Sequence, residues 1–290
     1  MKTAALLLPL LSLALLAGCG KTEEAPKPKV ASESAAPAGY LDKIKARDKL
    51  IVGVFTDKPP FGFVDEAGRY VGFDTDIGRR FAKDLLGDEN KVEFVAVEPA
   101  SRIPFLQSDK VDLILANMTV TPERKEAVEF TNPNLKVAVQ ALVPQGSSVK
   151  KLDDLATRTT IVTTGTTADI WLTKNHPDWK LLKFEKNSES LQALANGRGD
   201  AYAQDNLVLF SWAKQNPGYR VLEEKLGAEA PIAPAVKKGN LELRDWVNSE
   251  LAKLGEEKYL LKLYDQYVRK ELSDDTRPES VIVEGGKWQG

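Results

Sequence analysis

The sequence predicts an α/β protein of two like-built lobes on parallel-rich sheets, joined by two crossover segments with a ligand cleft between them. Three observations lead there. Short β-branched apolar runs alternate with amphipathic helical stretches from residue 41 onward. The same layout returns in the second half, and Lys110-Val111-Asp112-Leu113 mirrors Arg198-Gly199-Asp200-Ala201. Two extended segments, 137–143 and 232–236, fall where the chain would leave the first half and come back. At 290 residues there is enough chain for a core in each lobe.

Taken from the N-terminus, Lys2 precedes an apolar run, 4–18, that is short for a spanning helix, which needs roughly 20 residues. It suits a signal peptide over 1–18, ending Leu16-Ala17-Gly18 before Cys19. Residues 19–39 are Ala, Pro, Ser, Glu and Lys with few large apolar side chains, the composition of a flexible tether. The first lobe is expected over 40–139 with 235–290, and the second over 140–234. In the first, 50–54 reads as a buried strand, 76–86 as a helix stopped by Gly87, 92–97 as a strand, 103–107 as a short helix and 111–116 as a strand. In the second, 160–163 is a strand, followed by a helix through Trp171 and Leu172. Residues 183–184, 190–195 and 200–203 continue as strand, helix and strand. Helices over 241–254 and 257–268 should pack back on the first lobe. The polar, Gly-rich tail from 273 is expected along the surface.

Composition excludes whole classes of chemistry. With 40 Lys and Arg against 42 Asp and Glu there is no basic field for nucleic acid. One cysteine rules out an internal disulfide or a Cys-rich metal site, and a single histidine, His176 in a polar turn, rules out a two-His site. No cofactor or metal is expected.

Three clusters fall at the carboxyl ends of strands, where a cleft between α/β lobes has its lips. The first runs from Ala116-Asn117-Met118-Thr119 to Arg124. Thr121-Pro122 reads as an N-cap with proline at the first helical position, which sets Arg124 on the first turn. There its fork either takes a carboxylate or pairs with a neighbour such as Glu126. The second, Thr164-Gly165-Thr166-Thr167, enters a helix and is either an anion seat or a simple cap. The third is Gln204-Asp205, where the acid either receives an ammonium or caps the helix near Leu207. Arginine and a helix start for a carboxylate, with one acid for an ammonium, is what a free α-amino acid requires. Asp74 reads as a helix cap. Phe55 and Phe61 are divided between core and cleft wall, and Glu98, the other acid near the lip, suits structure better than catalysis.

The order and spacing of Pro59-Pro60-Phe61, Gly72-Phe73-Asp74, Val111-Asp112-Leu113, Thr119 to Arg124 and Gly165-Thr166-Thr167 resemble solute-binding family 3, the amino-acid-binding proteins of ABC importers. The resemblance covers about 41–268. It implies a two-lobe periplasmic-binding-protein fold that closes on its ligand, with no enzymatic activity. It also implies that Arg124 grips the α-carboxylate with Thr119 and Thr167, and that Asp205 takes the α-amino group. Words within 54–65, 84–90, 165–170, 233–239 and 283–287 are similar to the cysteine-binding branch, making cysteine or cystine the expected ligand. An aspartate/glutamate binder is the alternative, turning on Arg102. Lys58 stands where glutamine and basic-amino-acid binders place an aromatic, which speaks against those two classes. Asn117, Thr166, Phe55 and Phe61 complete the expected site. Cys19 resembles a lipobox cysteine, implying a membrane-anchored extracytoplasmic monomer whose partners are a permease and its ATPase.

Overall fold

The computed structural model describes residues 39–274 and 276–288; the expected signal peptide, Cys19 and the tether up to residue 38 lie outside the described residues. Two five-stranded sheets dominate. The first has the order Val92–Ala96, Leu50–Val54, Leu113–Ile114, Ala235–Lys237, Val128–Phe130. The second has the order Lys180–Phe184, Thr159–Thr163, Ala201–Asp205, Val139–Pro144, Tyr219–Val221. In both, the first three are parallel, and the fourth runs antiparallel to its neighbours on either side. The internal similarity is therefore one of topology. The fold is the two-lobe periplasmic-binding-protein fold.

Local sequence explains these elements. Leu50, Val52 and Val54 are fully buried in the middle of the first sheet, which suits a near-continuous apolar run. The Phe73–Leu86 helix turns Ile77, Phe81 and Ala82 into the first core. Gly87, at φ 81°, ends it in the left-handed conformation that closes helices. The Leu241–Glu256 helix packs Leu243, Val247 and Leu251 on the same core. Leu142, Ile161, Leu194, Tyr202 and Leu209 fill the second.

Several expectations need correcting. Val139–Pro144 belongs to the second sheet and Ala235–Lys237 to the first, so neither is the crossing. The crossing is a two-stranded antiparallel ribbon, Leu135–Val137 with Ala230–Ile232, whose strands bond each other and neither large sheet. The strand expected over 111–116 is Leu113–Ile114, with Asp112 N and Leu115 N still bonding Ile51 O and Gly53 O on either side, and the chain turns beyond it at Asn117, which holds φ 45°. The last helix is Tyr259–Leu263, continued as a π-helix over Tyr264–Val268. The C-terminal tail is not superficial. Val281, Ile282 and Val283 are buried, Ile282 bridges to Leu135, and Glu284 accepts the Leu260 and Leu261 amides at 3.2 and 2.8 Å. A small meander, Asp57–Lys58, Gly62–Val64 and Tyr70–Val71, was not legible because its strands are two or three residues long.

Candidate functional site

The strand ends of the two lobes converge on one cavity. Lys58, at the end of the meander's first strand, meets Asp205, the last residue of the Ala201–Asp205 strand, with Nζ 2.9 Å from Oδ2. The same ammonium donates to Asn117 Oδ1 at 2.9 Å. Asp205 Oδ1 and Asn117 Nδ2 are buried with no partner among the described residues. Asp205 stands at the N-cap position of the Asn206–Gln215 helix, yet its side chain caps nothing and faces Lys58 instead. Behind it Gln204 is wired to Asn187 Oδ1 at 2.8 Å and Tyr202 Oη at 3.0 Å, which fixes the strand end.

Two arginines of the first lobe share the cavity. Thr121 caps the Pro122–Ala127 helix through the Arg124 amide at 3.2 Å, as its sequence predicts. The segment before it is pinned by the returning chain, with Val120 N donating to Pro231 O at 2.9 Å. Arg124 Nη1 then donates to Thr119 O at 2.8 Å and Nη2 crosses to Gly165 O at 2.9 Å. Arg102 donates to Pro99 O, Ala116 O and Asn117 O at 3.0, 3.0 and 3.2 Å, and reaches Gly165 O at 3.5 Å. Neither arginine is ion-paired among the described residues. Lys58, Arg102, Arg124 and Asp205 are 2%, 3%, 5% and 3% exposed. Desolvation drives the Arg124 guanidinium down to about 10 against the pull of Asp205 and Glu123. It drives Arg102 well below its usual range, with the Arg124 charge adding to it.

The second lobe contributes a helix start. Thr166 caps the Thr167–Asn175 helix, its Oγ1 accepting the Asp169 amide at 3.2 Å and donating to Thr163 O at 2.7 Å. Its hydroxyl is thereby committed as a cap, and what could hold an anion is the helix start at Thr167, where the first amides have no intrahelical acceptor. Gly165, at φ 78°, is pressed against the first lobe. A Cβ there would lie 2.9 Å from the Ala100 backbone. Asp57 reaches across to Asn187 Nδ2 and Ser188 N at 3.2 and 2.9 Å, so the cleft is closed.

Of the expected residues, Arg124, Thr119, Asn117, Thr166, Thr167, Asp205, Arg102, Phe55 and Lys58 line this cavity, with Pro99 and Gln204. Phe61 does not. It is fully buried in the first core, edge-on to Phe73 at 6.4 Å. Asp74 is the second residue of its helix and caps nothing; Oδ2 accepts the Asn117 amide at 3.2 Å and holds that residue's left-handed turn. Glu98 does not line the cavity. His176 is half-buried, stacked on Trp179 at 3.9 Å and beside Trp171. Asp57 and Gly165 as cross-lobe contacts escaped the sequence, since their partners lie far along the chain and leave no local signal.

A hinge ribbon, twinned sheets and a closed polar cavity are matched by sequence. The model for bacterial extracellular solute-binding proteins, family 3, fits residues 50–270. The chain belongs to that family. This solute-binding protein is 39% identical over 228 residues to the glutamine-binding protein of Geobacillus stearothermophilus, covering 77% of this chain and 87% of that one. It is 34% identical over 267 residues to the ABC transporter glutamine-binding protein GlnH of Bacillus subtilis, covering 91% and 96%. The solved cysteine-binding protein of Campylobacter jejuni is 45% identical, with a TM-score of 0.84 over 85% of this chain and 100% of that one. Among the described residues, no helix of the solute-binding protein is long and apolar enough to cross a membrane.

Proposed function

We propose that this solute-binding protein is the receptor of an ABC importer for a polar α-amino acid, with cysteine the favoured ligand. The observation that carries the reading is the division of the cavity: Arg124 and the helix start at Thr167 form a positive seat for a carboxylate, and the unpartnered Asp205 Oδ1 is left for an ammonium. The 45% identity to a solved cysteine-binding protein favours cysteine. The glutamine-binding relatives pull the other way; Lys58, a buried cation in the wall, speaks against a neutral amide. Arg102 favours aspartate or glutamate as the second reading.

In the full proposal, 1–18 is a signal peptide and Cys19 carries the lipid, anchoring an extracytoplasmic monomer by its tether. Lobes 40–139 with 235–290 and 140–234 close on the amino acid and present it to the permease and its ATPase. The test is a thermal-shift screen of unfolded and refolded protein, freed of carried-over ligand, against the common amino acids and cystine. A ligand at 100 times its dissociation constant adds about 2.7 kcal/mol. Stabilisation by cysteine, with at least about hundredfold weaker binding in Arg124→Ala and Asp205→Ala, is expected from loss of one partner of a buried charge pair. No stabilisation by any amino acid overturns the reading.

A further inference from the structure

We propose that the cavity takes its amino acid as a net monoanion, so that cysteine is bound as the thiolate. This rests on the amino-acid reading above and goes further, to the charge of the side chain. Three cations, Lys58, Arg102 and Arg124, line the cavity, and Asp205 is the one carboxylate lining it. Both arginines spend their hydrogen bonds on carbonyl oxygens, which satisfy donors without cancelling charge. A zwitterionic ligand sends its carboxylate to Arg124 and its ammonium to Asp205 Oδ1, leaving the surplus unchanged. Lys58 would then share one acid with the ligand's ammonium, and Arg102 would have only the pull of that same Asp205.

Lys58 and Arg102 share one aromatic neighbour. Lys58 Nζ and the Arg102 guanidinium lie 5.3 and 5.5 Å from the centroid of the same ring, that of Phe55. Asn117 adds a buried donor, Nδ2, that has no partner among the described residues. Cations and a spare donor around one wall stabilise an anionic side chain. Cationic neighbours draw a thiol well below its free value of about 8.5. On binding, the thiol proton leaves to solvent and the ligand keeps its sulfur charge.

Calorimetry of the full chain with reduced cysteine, at about pH 8 in buffers of differing ionisation enthalpy, counts that proton. Two other groups near the cavity lie close to that pH and are mostly ionised before the ligand binds. Glu98, at the lip with Asp57, Lys186, Glu189 and Glu185, and Asp74, behind Asn117, both titrate at about 7. The expected result is about three-quarters of a proton released per cysteine bound, with serine bound at least about a hundredfold more weakly. Cysteine bound with no release, or with uptake, overturns the thiolate and leaves the cysteine receptor standing. Aspartate bound where cysteine is not overturns the choice of cysteine and supports the monoanion. Serine, glutamine or cystine bound more tightly than cysteine and aspartate overturns the monoanion.

Discussion

Burial raises the Asp74 carboxyl to about 7, desolvation outweighing the Asn117 amide and the Lys58 charge. In the unfolded chain the same group titrates near about 3.9. Between those values the folded protein holds the proton and the unfolded chain does not, so stability is greatest below about pH 4 on this account. It is lost as pH rises through about 7. Asp74→Asn keeps the size and an acceptor for Asn117 but cannot ionise. Urea unfolding at a series of pH values should show the wild-type decline flattened by up to about 4 kcal/mol in the variant. An unchanged decline would assign the slope to another group.

At the scale of elements, the tail after 276 acts as a strut between the crossing ribbon and the C-terminal helices. Ile282 bridges Leu135 of the ribbon, and Glu284 accepts the first amides of the Tyr259–Leu263 helix. The contact is close enough that a Cβ on Gly255 would lie 2.4 Å from the Gly285 Cα. Ile282→Ala should cost about 2–4 kcal/mol in chemical denaturation, the usual range for emptying a buried aliphatic site. Ligand affinity should stay within about twofold, because the tail is remote from the cavity. A cost below about 0.5 kcal/mol would return the tail to the surface role its composition suggests.

The whole molecule is governed by how the lobes meet. Gly165 touches the first lobe in two ways, its carbonyl taking Arg124 and Arg102 and its bare Cα lying against Ala100. In Gly165→Ala, the positive φ costs about 1–2 kcal/mol, and the methyl group meets Ala100 only when the lobes are shut. Small-angle scattering should then show no compaction on adding ligand, with affinity lowered at least about tenfold. Wild-type compaction and affinity in the variant would show that closure does not need this contact.

What the sequence by itself determined is local. The strand and helix types follow from hydrophobic period, the Thr121-Pro122 start sets Arg124 on a first turn, and Gly87 ends a helix, because neighbours along the chain fix these outcomes. Most of the residues that line the cavity were legible in the same way, down to Asp205 at a strand end. Tertiary structure decided which of them meet. Lys58 and Asp205 are 147 residues apart, and Asp57 and Asn187 are 130 apart. No local pattern says that Phe55 walls the cavity while Phe61 fills the core, or that Asp74 holds Asn117. Each depends on packing between segments distant in the chain, where burial and charge are set by the partner rather than by the neighbour.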